Sequence, residues 1–91
     1  MKIHLELDVA PIAGGPIARF DRVVSWGTVP RIDDYVELLR GSDISCPVEN
    51  VVFQANGSIR IILPTYEEDD ADRVAAMLRG ESSRWIEDKG E

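Results

Sequence analysis

The chain reads as mainly β: a small antiparallel barrel, or strongly bent sheet, of about five strands with one C-terminal helix. Three observations predict this. Residues 2–9 alternate apolar and polar side chains, residues 48–63 hold two β-rich runs around Asn56-Gly57, and Ala71, Val74, Ala75 and Leu78 recur at helical spacing. At 91 residues the chain suits one domain, since a second core cannot be built from what remains. Residues 1–80 are expected to form that domain, with the helix over 66–79 and a partly ordered acidic tail over 81–91.

The first strand puts Ile3, Leu5, Leu7 and Val9 on one face and Lys2, His4, Glu6 and Asp8 on the other. Period two means one face buried and one wet. Pro11 stops the run, and Gly14-Gly15-Pro16 supplies turn chemistry. A second strand over 17–26 carries Ala18, Phe20, Val24 and Trp26 on a face that also holds Arg22. A short connection favours antiparallel pairing of these two strands.

Residues 29–40 read two ways. As a helix, Ile32, Tyr35, Val36 and Leu39 form an amphipathic stripe, which gives an alternative α+β fold with a further helix at 31–40. As a strand, residues 30–34 make an entry turn and 35–39 a short β segment. Asp33-Asp34 suits a turn, and Tyr35 and Val36 suit a strand, so propensity favours the second. For the hairpin, a two-residue loop would mix polar and apolar side chains on both faces. A three-residue loop, Ala55-Asn56-Gly57, pairs Phe53 with Ile59 and Val51 with Ile61 and sorts the faces cleanly. That register is the prediction. Pro64 is then expected to end the sheet, and Thr65-Tyr66-Glu67-Glu68 fits a capping box that opens the helix. Gly80 is placed to stop it.

Residues 29–38, from Val29-Pro30-Arg31 to Glu37-Leu38, followed by Val48, Val51-Val52-Phe53 and Gly57-Ser58-Ile59-Arg60-Ile61-Ile62-Leu63, resemble small bacterial proteins with SH3-like barrels. In those proteins a Pro-Arg-x-Gly-Asp-x-Val-x-Leu stretch leads into a strand and a Val/Phe-rich hairpin follows. The likeness covers residues 29–63, and the glycine of the pattern is Asp33 here. It implies a strand at 35–39 and a barrel, and it transfers no catalytic residue and no cofactor.

Charge and cysteine usage narrow the function classes. The net charge is −7, with −5 of it in residues 67–91, so nucleic acid is disfavoured as the main partner. No apolar run reaches the ~18 residues of a membrane span, and the alternating N-terminus is unlike a signal peptide. Cys46 is the one cysteine, so no internal disulfide forms, and a reducing, cytoplasmic setting is expected. Before Pro47 it reads as a small apolar residue, with the single histidine, His4, far away in sequence.

No constellation points to catalysis. Glu67, Glu68, Asp69, Asp70 and Asp72 lack the spacing of a calcium loop. They read as helix-start acids that answer free amides and the macrodipole, or as an acidic docking patch for a basic partner. Asp33-Asp34 read as turn formers. No nucleophile elbow, phosphate loop or Cys-x-x-Cys pair occurs, so neither enzyme activity, metal nor cofactor is expected. Trp26, Tyr35, Tyr66 and Trp85 are polar-tipped aromatics of the kind that anchor interfaces. Val52 and Ile62 beside Arg60 leave the back of the hairpin more apolar than a wet face requires. The sequence thus predicts a non-catalytic protein-interaction module that binds a protein partner or itself as a homodimer. The alternatives are a nucleic-acid-binding small barrel and an accessory subunit of an enzyme.

Overall fold

The computed structural model describes residues 2–39, 41, 44–80 and 84–88. Its elements in chain order are β1 (Lys2–Pro11), β2 (Ala18–Ser25), β3 (Tyr35–Glu37), β4 (Ser45–Pro47), β5 (Asn50–Phe53), β6 (Ile59–Ile62), β7 (Tyr66–Glu68), α1 (Ala71–Arg79) and β8 (Ile86–Asp88). The alternation of residues 2–9 does build a strand, and its partner β2 is antiparallel, from Lys2 opposite Ser25 to Val9 opposite Ala18. Residues 35–37 are extended, so the helix at 31–40 does not form.

The barrel is overturned. The main sheet runs β5-β6-β1-β2-β8, with β7 also on β1, and among the described residues no pairing joins β5 to β8. It is an open, mixed sheet, so neither a small β-barrel nor an SH3-like architecture describes it. The feature that defeats the antiparallel expectation is β6, which pairs parallel to β1 with Ile3 opposite Ile59 and Glu6 opposite Ile62. Local connectivity predicts antiparallel neighbours, whereas a parallel pairing needs a long crossover. Here residues 26–58, including the β3–β4 ribbon, supply that crossover.

One face of the sheet is dry. Ile3, Leu5, Leu7, Val9, Phe20 and Ile61 are each no more than 2% exposed. Two separate pieces cover them. Helix α1 presents Ala71, Val74, Ala75 and Leu78, and the β3–β4 ribbon presents Val36, Leu38, Cys46 and Val48, all in one core cluster. The hairpin has the three-residue-loop register, with Phe53 opposite Ile59 and Val51 opposite Ile61. Gly57 takes φ +90°, the left-handed value that such a loop requires at its last position. The cover stops short of the sheet edge at β5, and Phe53 stays 72% exposed although it lies on the dry side.

Pro64 interrupts the sheet where it was expected to end it. Two residues of β1, Leu7 and Asp8, span the gap that three, Leu63, Pro64 and Thr65, span on the other side. Proline has no N–H for the ladder, and the extra residue is a bulge. The shift of one position turns Tyr66 toward the core, opposite Val9, and Glu67 away from it. Residues 66–68 are therefore β7, and the helix begins at Ala71 instead of Tyr66.

The capping box at Thr65 is not used. Asp70 is the N-cap, and its Oδ1 accepts from the Arg73 N–H at 3.2 Å. Tyr66-Glu67-Glu68 is held by a second ladder, which outweighs the local capping preference. Residues 86–88, expected in the tail, form an edge strand antiparallel to β2. The expectations for 81–83 and 89–91 lie outside the described residues. Asp70→Ala is expected to cost about 1 kcal/mol of unfolding free energy, and Thr65→Ala less than about 0.5 kcal/mol, in parallel urea denaturation curves.

Candidate functional site

The turn between β2 and β3 builds the most site-like concavity. Within residues 31–34, the Arg31 N–H donates to Asp34 Oδ2 at 2.8 Å, and the Asp34 N–H donates to the Arg31 carbonyl at 3.0 Å. This reciprocal pair closes the turn. Asp33 sits at φ +75°, the position that the sequence pattern gives to glycine, and aspartate is among the few other residues that tolerate it. The turn is then fastened to the ribbon by the Asp33 N–H to the Val48 carbonyl at 2.9 Å and the Val48 N–H to the Asp34 carbonyl at 2.8 Å.

Fixing that turn brings Trp26, at the end of β2, onto the same surface as Tyr35, at the start of β3. Two adjoining depressions, of about 550 and 380 Å³, share Trp26, Pro30 and Tyr35 in their walls. The first adds Thr28, Val29, Arg31 and Asp34, and the second adds Arg22, Val36 and Glu37. Tyr35 is 73% exposed. Arg31 pairs with Asp34 at 4.0 Å across the rim. Below them, the Arg22 guanidinium lies 6.0 Å over the Trp85 ring. The two cations and two carboxylates around this groove cancel, so it carries no strong field of one sign. Its chemistry is that of flat rings and a restrained proline, which suits contact with another polypeptide.

The remaining expected site residues are dispersed. Trp85 is 5% exposed, and its indole N–H donates to the Leu38 carbonyl at 2.7 Å, so it belongs to the core. Tyr66 is half-buried against the same core. Val52, Arg60 and Ile62 lie on the opposite, uncovered face of the sheet, with Arg60 ion-paired to Glu6. Of the acids, Glu67 and Glu68 are on β7, Asp70 caps α1 and Asp72 is in its first turn. The five acids, Asp69 included, thus run from a strand through a turn into a helix instead of along one helix. Among the described residues no group of three or more His, Cys, Asp and Glu side chains is placed to hold a metal ion. No helix among them is long and apolar enough to cross a membrane.

Sequence reasoning missed Pro30, Arg31 and Arg22 as groove residues. One signal for Arg22 was present: it breaks the apolar face of the second strand. Pro30 lies between the two aromatics in sequence, but only the closed turn makes it a wall between them. No protein-family model, curated protein or solved structure matches the chain.

Cys46 is buried at 2% exposure, and burial pushes its thiol from an ordinary 9.0 up to about 11. Desolvation disfavours the thiolate, so the folded state prefers the protonated form. This contribution to stability is complete below about pH 9 and is lost as pH rises toward 11, because the unfolded chain ionises first. At pH 8 the native thiol is expected to react with an aromatic disulfide reagent at least about tenfold more slowly than the urea-unfolded chain.

Proposed function

We propose that the chain is a non-catalytic protein-interaction module that holds an extended segment of a partner in the Trp26–Pro30–Tyr35 groove. The observation that carries this reading is the meeting of Trp26 and Tyr35 on one concave surface with Pro30 between them. Aromatic-lined grooves suit extended, proline-containing segments, because such segments are already stiff and lose little entropy on docking. The turn that shapes the groove is tied by four backbone-directed hydrogen bonds, so little ordering is left for the moment of binding.

Nucleic acid is a poorer occupant. Arg22 and Arg31 are offset by Asp34 and Glu37, so the described lining of the groove offers no basic stripe to track phosphates. The reading includes a reducing, cytoplasmic setting, in keeping with one buried thiol that has no disulfide role.

The test is selection of peptides from a displayed random library against the intact chain, followed by titration of synthetic winners. Binding in the micromolar range is expected, with Trp26→Ala or Tyr35→Ala weakening it by about tenfold or more and Phe53→Ala leaving it unchanged. Enrichment of no peptide, or equal binding by the Trp26/Tyr35 double variant, rejects the groove as the site.

A further inference from the structure

Strand β2 turns Phe20, Arg22 and Val24 toward the covered face, where Arg22 lies opposite Leu5 of β1. A guanidinium on that face loses hydration, and burying a charge is costly unless its donors find acceptors. For Arg22 they do so only in part. Its Nε is buried and has no hydrogen-bond partner among the described residues. The guanidinium sits over the Trp85 ring, whose centroid is 6.0 Å away, and a ring face cannot accept a forked pair of hydrogen bonds. Arg79 makes the contrast: it too lies over a core ring, Phe20, but its Nε and Nη2 both donate to Glu87.

Arg22 also forms part of the wall of the smaller depression in the groove, with Trp26, Pro30, Tyr35 and Glu37 around it. The groove's other arginine, Arg31, is paired with Asp34 at the rim. The larger depression is thus paired internally, while the smaller one holds a buried donor in need of an acceptor. We propose that an acidic side chain of the bound segment is that acceptor. Its carboxylate enters the smaller depression and accepts from the Nε–H and one Nη–H of Arg22. This rests on the groove being the seat of an extended segment, and it adds a requirement for a carboxylate beside the proline.

Three features select that group. A side-on approach to an arginine uses Nε–H with a neighbouring Nη–H, and the two oxygens of a carboxylate match that fork. Depth is the second. Arg22 is half-buried below the Trp26 and Tyr35 rings, so a side chain can descend to it while the segment's backbone stays on the rings. A chain terminus would have to leave them. Third, Glu37 is exposed on the same wall and opposes any anion, so a singly charged carboxylate is opposed less than a phosphate of about −1.5 to −2 charge. Tyr35 is 73% exposed, and its ring is free to turn and uncover the guanidinium as the carboxylate arrives.

The test uses the full chain and the peptides selected on it, made with blocked ends, each beside a copy whose acidic residue is replaced by its amide. The selected sequences are expected to share an acidic residue at a fixed distance from proline. The amide copy should bind about tenfold or more weakly. The acidic peptide should also shift the Arg22 Nε–H cross-peak in heteronuclear NMR spectra, a signal assigned by its loss in Arg22→Met, while the amide copy does not. In the Arg22→Met chain the acid and amide copies should bind to within about twofold of each other. Glu37→Gln, at an exposed position, should tighten the acidic peptide by about threefold and leave the amide copy unchanged, which keeps the test intact if Arg22→Met does not fold. Peptides that need Trp26 and Tyr35 but bind equally as acid and amide overturn the carboxylate requirement and leave the groove standing. Enrichment of no peptide rejects both. An acid requirement that persists in the Arg22→Met chain overturns the role of Arg22, because another cation then reads the acid. So does tighter binding of a phosphoserine copy, because the occupant is then a phosphate.

Discussion

The structure depends on one strand having a neighbour on each side. β1 pairs antiparallel with β2 along one edge, and parallel with β6 and then β7 along the other. A central strand leaves no backbone group for water, so its ladders must be completed by the chain itself. Its inward side chains, Ile3, Leu5, Leu7 and Val9, are each at most 2% exposed and form the floor on which everything else rests. At roughly 1.5–3 kcal/mol for each fully buried aliphatic side chain, this strand supplies a large share of the apolar burial in so small a domain.

What lies on that floor is assembled from two distant pieces that are tied together near the C-terminus. The Trp85 indole fills the core and hydrogen-bonds to Leu38 of the segment after β3. Arg79, the last residue of α1, reaches Glu87 of β8 with two bonds of 2.7 and 2.8 Å, and its guanidinium also lies 6.0 Å over the Phe20 ring. Bonding to Glu87 holds Arg79 charged above its ordinary range, the first of the influences on it. Residues 85–88, which look like a tail, therefore join the helix, the sheet and the ribbon. They hold the two covering pieces to the sheet.

Helix α1 and the β3–β4 ribbon cover one face of the sheet as far as β6 and leave the other face bare. The groove sits at the end of the covered side, where a closed turn makes rings and a proline converge. The uncovered side carries exposed Val23, Val52 and Ile86 beside a centre of charged residues.

Periodicity and turn chemistry are local, and they determined a good deal. The face of β1, the pairing of β1 with β2, the register of the Phe53–Ile59 hairpin and the buried stripe of α1 all follow from side chains within a few residues of one another. Trp26 and Tyr35 stood out as polar-tipped rings, but so did Tyr66 and Trp85, and only the fold puts the first two on one concave surface. Tertiary structure decided the rest. Nothing near Ile59 says that its strand will lie parallel to residues 3–6, because that choice is made by a contact some 56 positions away. The same pairing, broken at Pro64, turns Tyr66-Glu67-Glu68 from a helix start into a strand and hands the cap to Asp70. It also leaves the sheet open where a purely antiparallel meander would have been free to close. Trp85 looked like a surface anchor and became core because a carbonyl of Leu38 was there to take its N–H. Local sequence sets which side of an element is apolar; only the assembled sheet determines what that side meets.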